Sequence, residues 1–221
     1  VVAGVDSSTQ SCTVELRDLA TGELLSTGRA PHPVTHPPIS EQDPEAWWQA
    51  LVSAMAEARR AVEVDVRIVG VSVGAQCHGL VVSDEADRVL RPARLWNDTT
   101  SGPQAARLLE RHPASWWAQQ IGIVPSAAIT VSKLALLAKT EPDTLDRVRH
   151  LAVPHDWLTY RLTGRHVTDR SDASGTGYFS ADTGRWRTDI LDEVVGERDW
   201  APLLPEVLAP DAAAERIAPD A

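Results

Sequence analysis

Residues 1–30 read VVAGVDSSTQSCTVELRDLATGELLSTGRA, and their pattern predicts three short strands joined by two turns. The first strand is an apolar run that ends in the carboxylate of Asp6. In TVELRD, apolar and charged side chains alternate, which is typical of a half-exposed strand. Gly22 supplies the second turn, and LLSTGRA returns as the third strand. The segment therefore predicts a three-stranded antiparallel meander.

A helix and a further strand follow the meander. Asp43 stands where an N-cap is expected and Pro44 at the first helical position, and Trp47, Leu51 and Ala54 then recur at helical spacing. The segment RIVGVSVGA is apolar enough to predict a central strand of a sheet. Strands linked through a helix favour an α/β fold.

Beyond Thr100 the sequence becomes mainly helical. We predict helices in SGPQAARLLER, VSKLALLAK, PDTLDRV, HDWLTYRLTG and DILDEVV, and a strand in HLAVP. Gly164 is expected to end the fourth of these helices. The stretch VTDRSDASGTGYFS is rich in small polar residues and predicts a long loop.

Composition narrows the classes of function. The 221 residues carry a net charge of -10, which argues against nucleic-acid binding, since that binding depends on neutralising phosphates. Two cysteines, Cys12 and Cys77, cannot form a disulfide framework. Neither a membrane-spanning run nor a signal peptide is recognisable. We therefore expect a cytoplasmic protein with no membrane partner.

The loop between the first two strands, VDSSTQS, is a candidate phosphate site. Backbone N–H groups and the hydroxyls of Ser8 and Thr9 can surround a phosphate, with Gln10 beside them. Asp6 would suit a magnesium ion held through water. An ordinary turn remains the alternative, because such clusters are common in turns.

A second candidate site is GAQCHG, where glycines permit close approach of a ligand to the backbone. Gln76 and His78 can orient a polyol, although His78 could equally be a core histidine bonded to a carbonyl. Cys77 and His78 are adjacent, so on a strand they would point to opposite faces, which argues against a Cys–His catalytic pair.

Two further segments carry polar groups next to predicted elements. Trp96, Asn97 and Asp98 combine an aromatic face, an amide and a carboxylate, which is a common way to bind a sugar. The alternative is that Asp98 or Thr100 caps the next helix. In RSDASGTG, the small residues and Asp172 form either solvated surface or a loop packed near the phosphate site.

Taken in order, VDSSTQS, SEQDPEAWW, GAQCHG, LRPARLWND and DRSDASGT resemble the N-terminal domain of the FGGY carbohydrate kinases. SEQDPEAWW and QCHG are most similar to its xylulokinase members. The resemblance covers residues 1–221 and implies an actin-like, ribonuclease H-like α/β fold with a mixed five-stranded sheet. It also implies ATP-dependent phosphorylation of D-xylulose, or a related ketose or polyol, with Mg²⁺, and a possible homodimer.

The resemblance assigns roles to the candidate residues. Asp6 would lie near the magnesium and the transferring phosphate, with Ser8, Thr9 and Gln10 in the phosphate loop. Cys77 and His78 would match the family's Met-His substrate-binding pair. Trp96, Asn97 and Asp98 would form the nearby wall of the sugar pocket, and Gln76 is a further candidate for substrate binding. One expectation joins these assignments, namely that the phosphate loop and the sugar pocket share one rim of the sheet.

The sequence also departs from the family pattern. Glycine is usual where Ser8 stands, a basic residue where Thr13 stands and tryptophan where Leu136 stands, while Lys133 of that signature is kept. The family's catalytic base, an aspartate in a Gly-Gly-Asp-Asn-like segment, has no counterpart in the 221 residues. We therefore expect the base and a C-terminal domain to lie outside this chain, and the chain alone to lack turnover.

Two alternative functions stay open from the sequence. One is another sugar kinase of the same family, acting on ribulose, gluconate or glycerol. The other is a non-catalytic sugar-binding module derived from the kinase fold.

Overall fold

The computed structural model describes residues 1–62 and 65–219. The chain divides into two compact units. Unit 1 comprises Val1–Val34 and Asp43–Gln76, and unit 2 comprises Thr35–Gln42 and Cys77–Ala221. The α/β class predicted from the sequence is confirmed, since strands and helices alternate along the chain.

Unit 1 contains one helix and the larger sheet. Its elements are β1 (Val2–Ser7), β2 (Ser11–Arg17), β3 (Leu24–Pro31), α1 (Pro44–Ala61) and β5 (Gly70–Ala75).

Unit 2 is mainly helical. Its strands are β4 (Glu41–Gln42), β6 (Val81–Ser83), β7 (Ala93–Arg94), β8 (His150–Ala152), β9 (Val167–Thr168), β10 (Phe179–Ser180), β11 (Arg185–Trp186) and β12 (Glu206–Val207). Its helices are α2 (Gly102–Arg111), α3 (Ala114–Gln120), α4 (Thr130–Thr140), α5 (Pro142–Arg147), α6 (Pro154–Thr163), α7 (Arg170–Ser174) and α8 (Thr188–Val195), with a 3-10 turn at Ala201–Leu203.

The sheet of unit 1 has the order β3-β2-β1-β5. β1, β2 and β3 are antiparallel neighbours, which confirms the predicted meander, and β5 runs parallel to β1. The sheet of the described residues has four strands where five were predicted. β5 lies at its edge, with residues 70, 72 and 74 exposed, so the prediction of a central strand was wrong. An apolar run only 6 residues long does not distinguish an edge strand from a central one.

α1 begins as the sequence indicated and covers one face of this sheet. Asp43 is its N-cap and accepts a hydrogen bond from the Glu45 amide, and Pro44 occupies the first turn. Its buried face packs mainly on β3 and β2. Ser26 on β3 donates a hydrogen bond of 2.8 Å to the Ala58 carbonyl, which fixes the helix against the strand.

The close approach of α1 to the sheet depends on Gly28. A Cβ at this position would lie 2.0 Å from the Ala54 carbonyl oxygen and 2.6 Å from the Ala58 nitrogen. We expect Gly28→Ala to lower the free energy of unfolding by about 3 kcal/mol, because backbone atoms cannot move aside as a flexible side chain can. Urea denaturation followed by circular dichroism measures this change.

Gly102→Ala is the matched control for that substitution. An added Cβ at Gly102 meets nothing within 4 Å, so this variant should unfold at the same urea concentration as the unsubstituted chain or a higher one. Equal stability of the two variants would contradict the packing argument.

In unit 2 the apolar faces of several helices pack with two strands. The cluster includes Leu80, Val82, Leu108, Trp117, Leu134 and Leu137.

α6 ends at Gly164 in a left-handed conformation, as predicted. The stretch predicted as a long loop contains α7, whose N-cap Asp169 accepts a hydrogen bond of 2.7 Å from the Asp172 amide. α3 was not predicted at all.

Four charged side chains join three elements of unit 2. Arg91 binds Glu41 at 2.5 Å and Glu141 at 3.0 Å, and Arg94 binds the same two carboxylates at 3.2 and 3.1 Å. Both arginine side chains are about nine-tenths buried. The four groups therefore anchor β4, β7 and the end of α4 to one another.

Among the residues described here, no helix has the length and apolar character needed to cross a membrane.

Candidate functional site

The candidate phosphate loop lies between β1 and β2 in unit 1. Asp6 is exposed and pairs in register with Thr13 on β2 and Gly74 on β5. The Ser8 amide and hydroxyl both donate to the Ser11 carbonyl, at 3.0 and 3.1 Å, which closes the turn. The Ser8 hydroxyl hydrogen is thus used inside the loop.

His32 directly follows β3 and holds this loop in place, a role that was not predicted from the sequence. Its backbone N–H donates to the Gln10 carbonyl at 2.8 Å, and its Nδ1 lies 2.8 Å from the Ser8 carbonyl oxygen. Burial lowers the pKa of His32, against the opposing effects of that hydrogen bond and of the Asp6 charge. A neutral ring at neutral pH is the result. No sequence signal marked His32, because its role depends on the pairing of β3 with β2.

A cavity of about 420 Å³ lies within unit 2 and contains two of the predicted sugar-binding residues. Its lining comprises Cys77, His78, Ile121, Gly122, Ile123, Ser171, Asp172, Ser174, Gly175 and Ala181. Cys77 and His78 follow the end of β5 and lie in a bend, where both line the same cavity. The expectation that they point to opposite faces applied only to a strand, and the strand ends before these two residues.

His78 has an uncommon backbone conformation. Its φ is 62°, in the left-handed region that few residues other than glycine adopt, and the Thr130 hydroxyl donates to its carbonyl at 3.2 Å. The ring packs against Gly175, where a Cβ would lie 2.6 Å from both Cε1 and Nδ1 of the imidazole. Gly175 thus makes room for the ring. Backbone strain held in place by its surroundings is typical of functional sites.

Lys133 places a buried amine close to this cavity. The side chain is fully buried, and its Nζ donates to the carbonyls of Ala127, at 3.2 Å, and Ala128. Burial lowers the pKa of Lys133 to about 7, although the negative charge of Asp98 acts in the opposite direction. Burial also lowers the pKa of His78, and the Lys133 charge adds to that effect. The His78 ring is therefore neutral at neutral pH.

The segment from Trp96 to Asp98 follows β7 in unit 2. Asp98 is fully buried and accepts hydrogen bonds from the Ser40 amide at 2.8 Å and from the amide and hydroxyl of Thr100. Its carboxylate therefore ties two loops together, whereas Ser101 is the N-cap of α2. Trp96 is 44% exposed. Neither Trp96, Asn97 nor Asp98 is among the described residues that line the cavity, so their contact with sugar stays a prediction.

Asp172 and His155 form a charged group beside the cavity that the sequence had not linked. His155 Nδ1 lies 3.1 Å from Asp156 Oδ1 and 3.6 Å from Asp172 Oδ2. His155 lies in the first turn of α6 and Asp172 lies in α7, so nothing in the local sequence pairs them. Only the density of small residues in RSDASGTG indicated that this segment could pack closely.

The structure thus brings together Cys77, His78, Lys133 and Asp172 within unit 2. Gln76 belongs to unit 1, together with Asp6, Ser8, Thr9 and Gln10. Its backbone N–H donates to the Ser7 carbonyl at 2.9 Å. The shared rim expected for the two candidate sites stays a prediction.

Comparison with known proteins places the chain in a family. Residues 1–221 match the model of the FGGY family of carbohydrate kinases, N-terminal domain. A curated relative, the xylulose kinase of Streptomyces rubiginosus, is 43% identical over 218 residues, which cover 98% of this chain and 44% of the relative. The chain thus spans less than half the length of that relative.

Solved structures agree with this match. The crystal structure of xylulose kinase from Bifidobacterium adolescentis superposes with a TM-score of 0.83 at 36% identity, covering 95% of this chain and 47% of that one. The crystal structure of a "xyloylose kinase" from Brucella ovis superposes with a TM-score of 0.91 at 30% identity. The match covers 99% of this chain and 45% of that one. The predicted actin-like, ribonuclease H-like fold class is confirmed by these neighbours. The chain belongs to the FGGY family of carbohydrate kinases.

Proposed function

We propose that this chain is the N-terminal, sugar-binding part of an ATP-dependent kinase that converts D-xylulose to D-xylulose 5-phosphate. The observation that carries the proposal is the cavity lined by Cys77 and His78, in a chain 43% identical to a xylulose kinase. Its lining mixes apolar groups, Ile121 and Ile123, with a neutral imidazole and a carboxylate. That combination suits a polyol, whose hydroxyls need both donors and acceptors.

The chain's own residues would bind and orient the sugar. His78 is held by its backbone bond to Thr130 and by the close packing of Gly175, so its ring is placed before a ligand enters. A neutral imidazole can donate through one ring nitrogen and accept through the other. Fixing the sugar hydroxyl in line with the γ-phosphoryl of ATP is the main catalytic contribution expected in phosphoryl transfer.

The loop after β1 would serve the phosphate side of the reaction. Asp6 has an exposed carboxylate and no described side chain bonded to it, which fits a magnesium ion bound through water. When bound, Mg²⁺ would neutralise charge on the transferring phosphate. Thr9, Gln10 and the backbone of Ser8 would line this side. The catalytic base and the remaining ATP contacts are expected outside the chain.

An ADP-release assay on the protein that carries this chain together with its C-terminal half tests the proposal. We expect D-xylulose to give a kcat/KM at least about tenfold above D-ribulose, gluconate and glycerol, since hydroxyl-reading sites discriminate strongly. A higher value with another sugar would overturn the substrate assignment. ADP release with none of them would overturn the kinase assignment. Turnover by residues 1–221 alone would contradict the expected position of the base.

A further inference from the structure

Asp172 supplies the carboxylate of the cavity lining, and neither the resemblance nor the proposed function assigns it a contact with the substrate. It lies in α7, in the same cavity lining as His78 and Gly175. Its side chain is 18% exposed, so most of the carboxylate is removed from bulk water. A carboxylate in such a position needs partners, because burying an unpaired charge is costly.

The partner on the protein side is His155. Its Nδ1 lies 3.6 Å from Asp172 Oδ2 and 3.1 Å from Asp156 Oδ1. Asp156 is itself buried and accepts a further hydrogen bond of 3.2 Å from the Val153 amide at the start of α6. The Nδ1 of His155 is therefore hydrogen-bonded to Asp156 and within ion-pair distance of Asp172, and α6 holds the ring in place. Among the described residues, His155 is the one ion-pair partner of Asp172, which leaves acceptor capacity on the carboxylate.

The charges around Asp172 decide its ionisation. Burial raises the pKa of Asp172 to about 6; the His155 charge acts in the opposite direction, while Asp156 and Asp169 add to the increase. Burial also acts to lower the pKa of His155, but the hydrogen bond and charge of Asp156, with Asp172 and Asp169, outweigh it and the pKa is raised. Above a pH of about 6 Asp172 is therefore mainly a carboxylate, in a cavity whose lining also includes the neutral ring of His78.

We propose that Asp172 binds a hydroxyl group of the polyol substrate in this cavity, and that His155 and Asp156 position its carboxylate. This inference rests on the proposed sugar-kinase function. A carboxylate accepts hydrogen bonds from hydroxyls and cannot donate any, while the neutral imidazole of His78 can do both. The two residues line one cavity, so together they would read different hydroxyls of one sugar. Asp172 then acts as a specificity residue, with no part in proton transfer to the phosphoryl group.

Steady-state kinetics of Asp172→Asn in the full-length kinase tests this inference. We expect kcat/KM for D-xylulose to fall roughly 10- to 100-fold while KM for ATP stays within about twofold, because a charge-assisted hydrogen bond is lost. A set of monodeoxy analogues sharpens the readout. For the analogue that lacks the hydroxyl read by Asp172, the unsubstituted enzyme and the variant should have the same kcat/KM. A general structural defect would lower the values for all analogues alike and would overturn the proposal.

A pH series adds a second readout. The ratio of kcat/KM between the unsubstituted enzyme and Asp172→Asn should fall towards one as pH is lowered from 7.5 to 5, because the carboxylate becomes protonated near pH 6. In a His155→Gln background the same fall should begin at higher pH, since the His155 charge no longer favours the carboxylate. A ratio independent of pH in both backgrounds would contradict the assigned role of His155.

Asp143→Asn, a change at an exposed aspartate in the first turn of α5, is the matched control and should leave all constants unchanged. The outcomes separate the two proposals. If the full-length enzyme phosphorylates D-xylulose and Asp172→Asn does so equally well, only the inference about Asp172 fails. If the unsubstituted enzyme phosphorylates no sugar, the proposed function fails and this inference fails with it.

Discussion

Replacing His78 with alanine in the proposed full-length kinase should lower kcat/KM for D-xylulose by about 100-fold, with KM for ATP within about twofold. The ring lines the cavity that we propose binds the sugar, and its removal would leave hydroxyls of that sugar without partners, which sites that recognise hydroxyls penalise strongly. His78 also occupies a left-handed conformation that only the surrounding contacts hold in place. Initial-rate kinetics with each substrate varied in turn measures the two effects separately.

The control for this change is His112→Ala. His112 follows α2 and pairs with Glu193 at 2.9 Å, away from the lining of the cavity, so we expect unchanged kinetics. If His78→Ala reduced the use of sugar and of ATP to the same extent, His78 would be a structural residue. A lower melting temperature accompanied by normal kinetics would lead to the same conclusion.

Replacing Lys133 with methionine should destabilise the protein by about 3 kcal/mol more at pH 9 than at pH 6. Burial lowers the pKa of Lys133 from 10.5 to about 7. Between these values the unfolded state binds a proton that the folded state does not, so stability conferred by Lys133 rises with pH at about 1.4 kcal/mol per unit. Methionine has similar volume and no titration, so the difference between the two proteins isolates this effect. Urea denaturation at both pH values measures it.

Lys139→Met is the matched control, because Lys133 and Lys139 are the chain's two lysines and lie in the same helix. Lys139 is exposed, and its replacement should change stability by less than about 0.5 kcal/mol at either pH. A destabilisation by Lys133→Met that does not vary with pH would show that the buried amine keeps an ordinary pKa.

Much of unit 1 could be predicted from the sequence because its signals are local. The meander follows from alternation of side chains within each strand and from the turn at Gly22, and α1 follows from Asp43 and Pro44 at its start. These features depend on residues only a few positions apart. The position of β5 at the sheet edge could not be predicted, since an apolar run does not reveal how many neighbours a strand has.

The candidate site likewise has features that the sequence predicted and contacts that it could not reveal. His78 and Cys77 were marked by glycines and by the resemblance to a family, and both line the cavity. Asp98 was marked as well, but its carboxylate is used within the protein, bonded to Ser40 and Thr100. Ser40 is 58 positions away, so a motif alone could not reveal that the carboxylate was already engaged.

The amino-acid sequence by itself determined the family, the α/β class and the segments that carry polar chemistry, because these depend on residue types and short spacings. Only the tertiary structure decided which groups meet. It placed Gly175 against the His78 ring, buried Lys133 beside Asp98 and Cys77, and joined His155 to Asp172. The physical reason is that burial and charge depend on the packing of elements distant in the chain, and they set the ionisation on which the site depends.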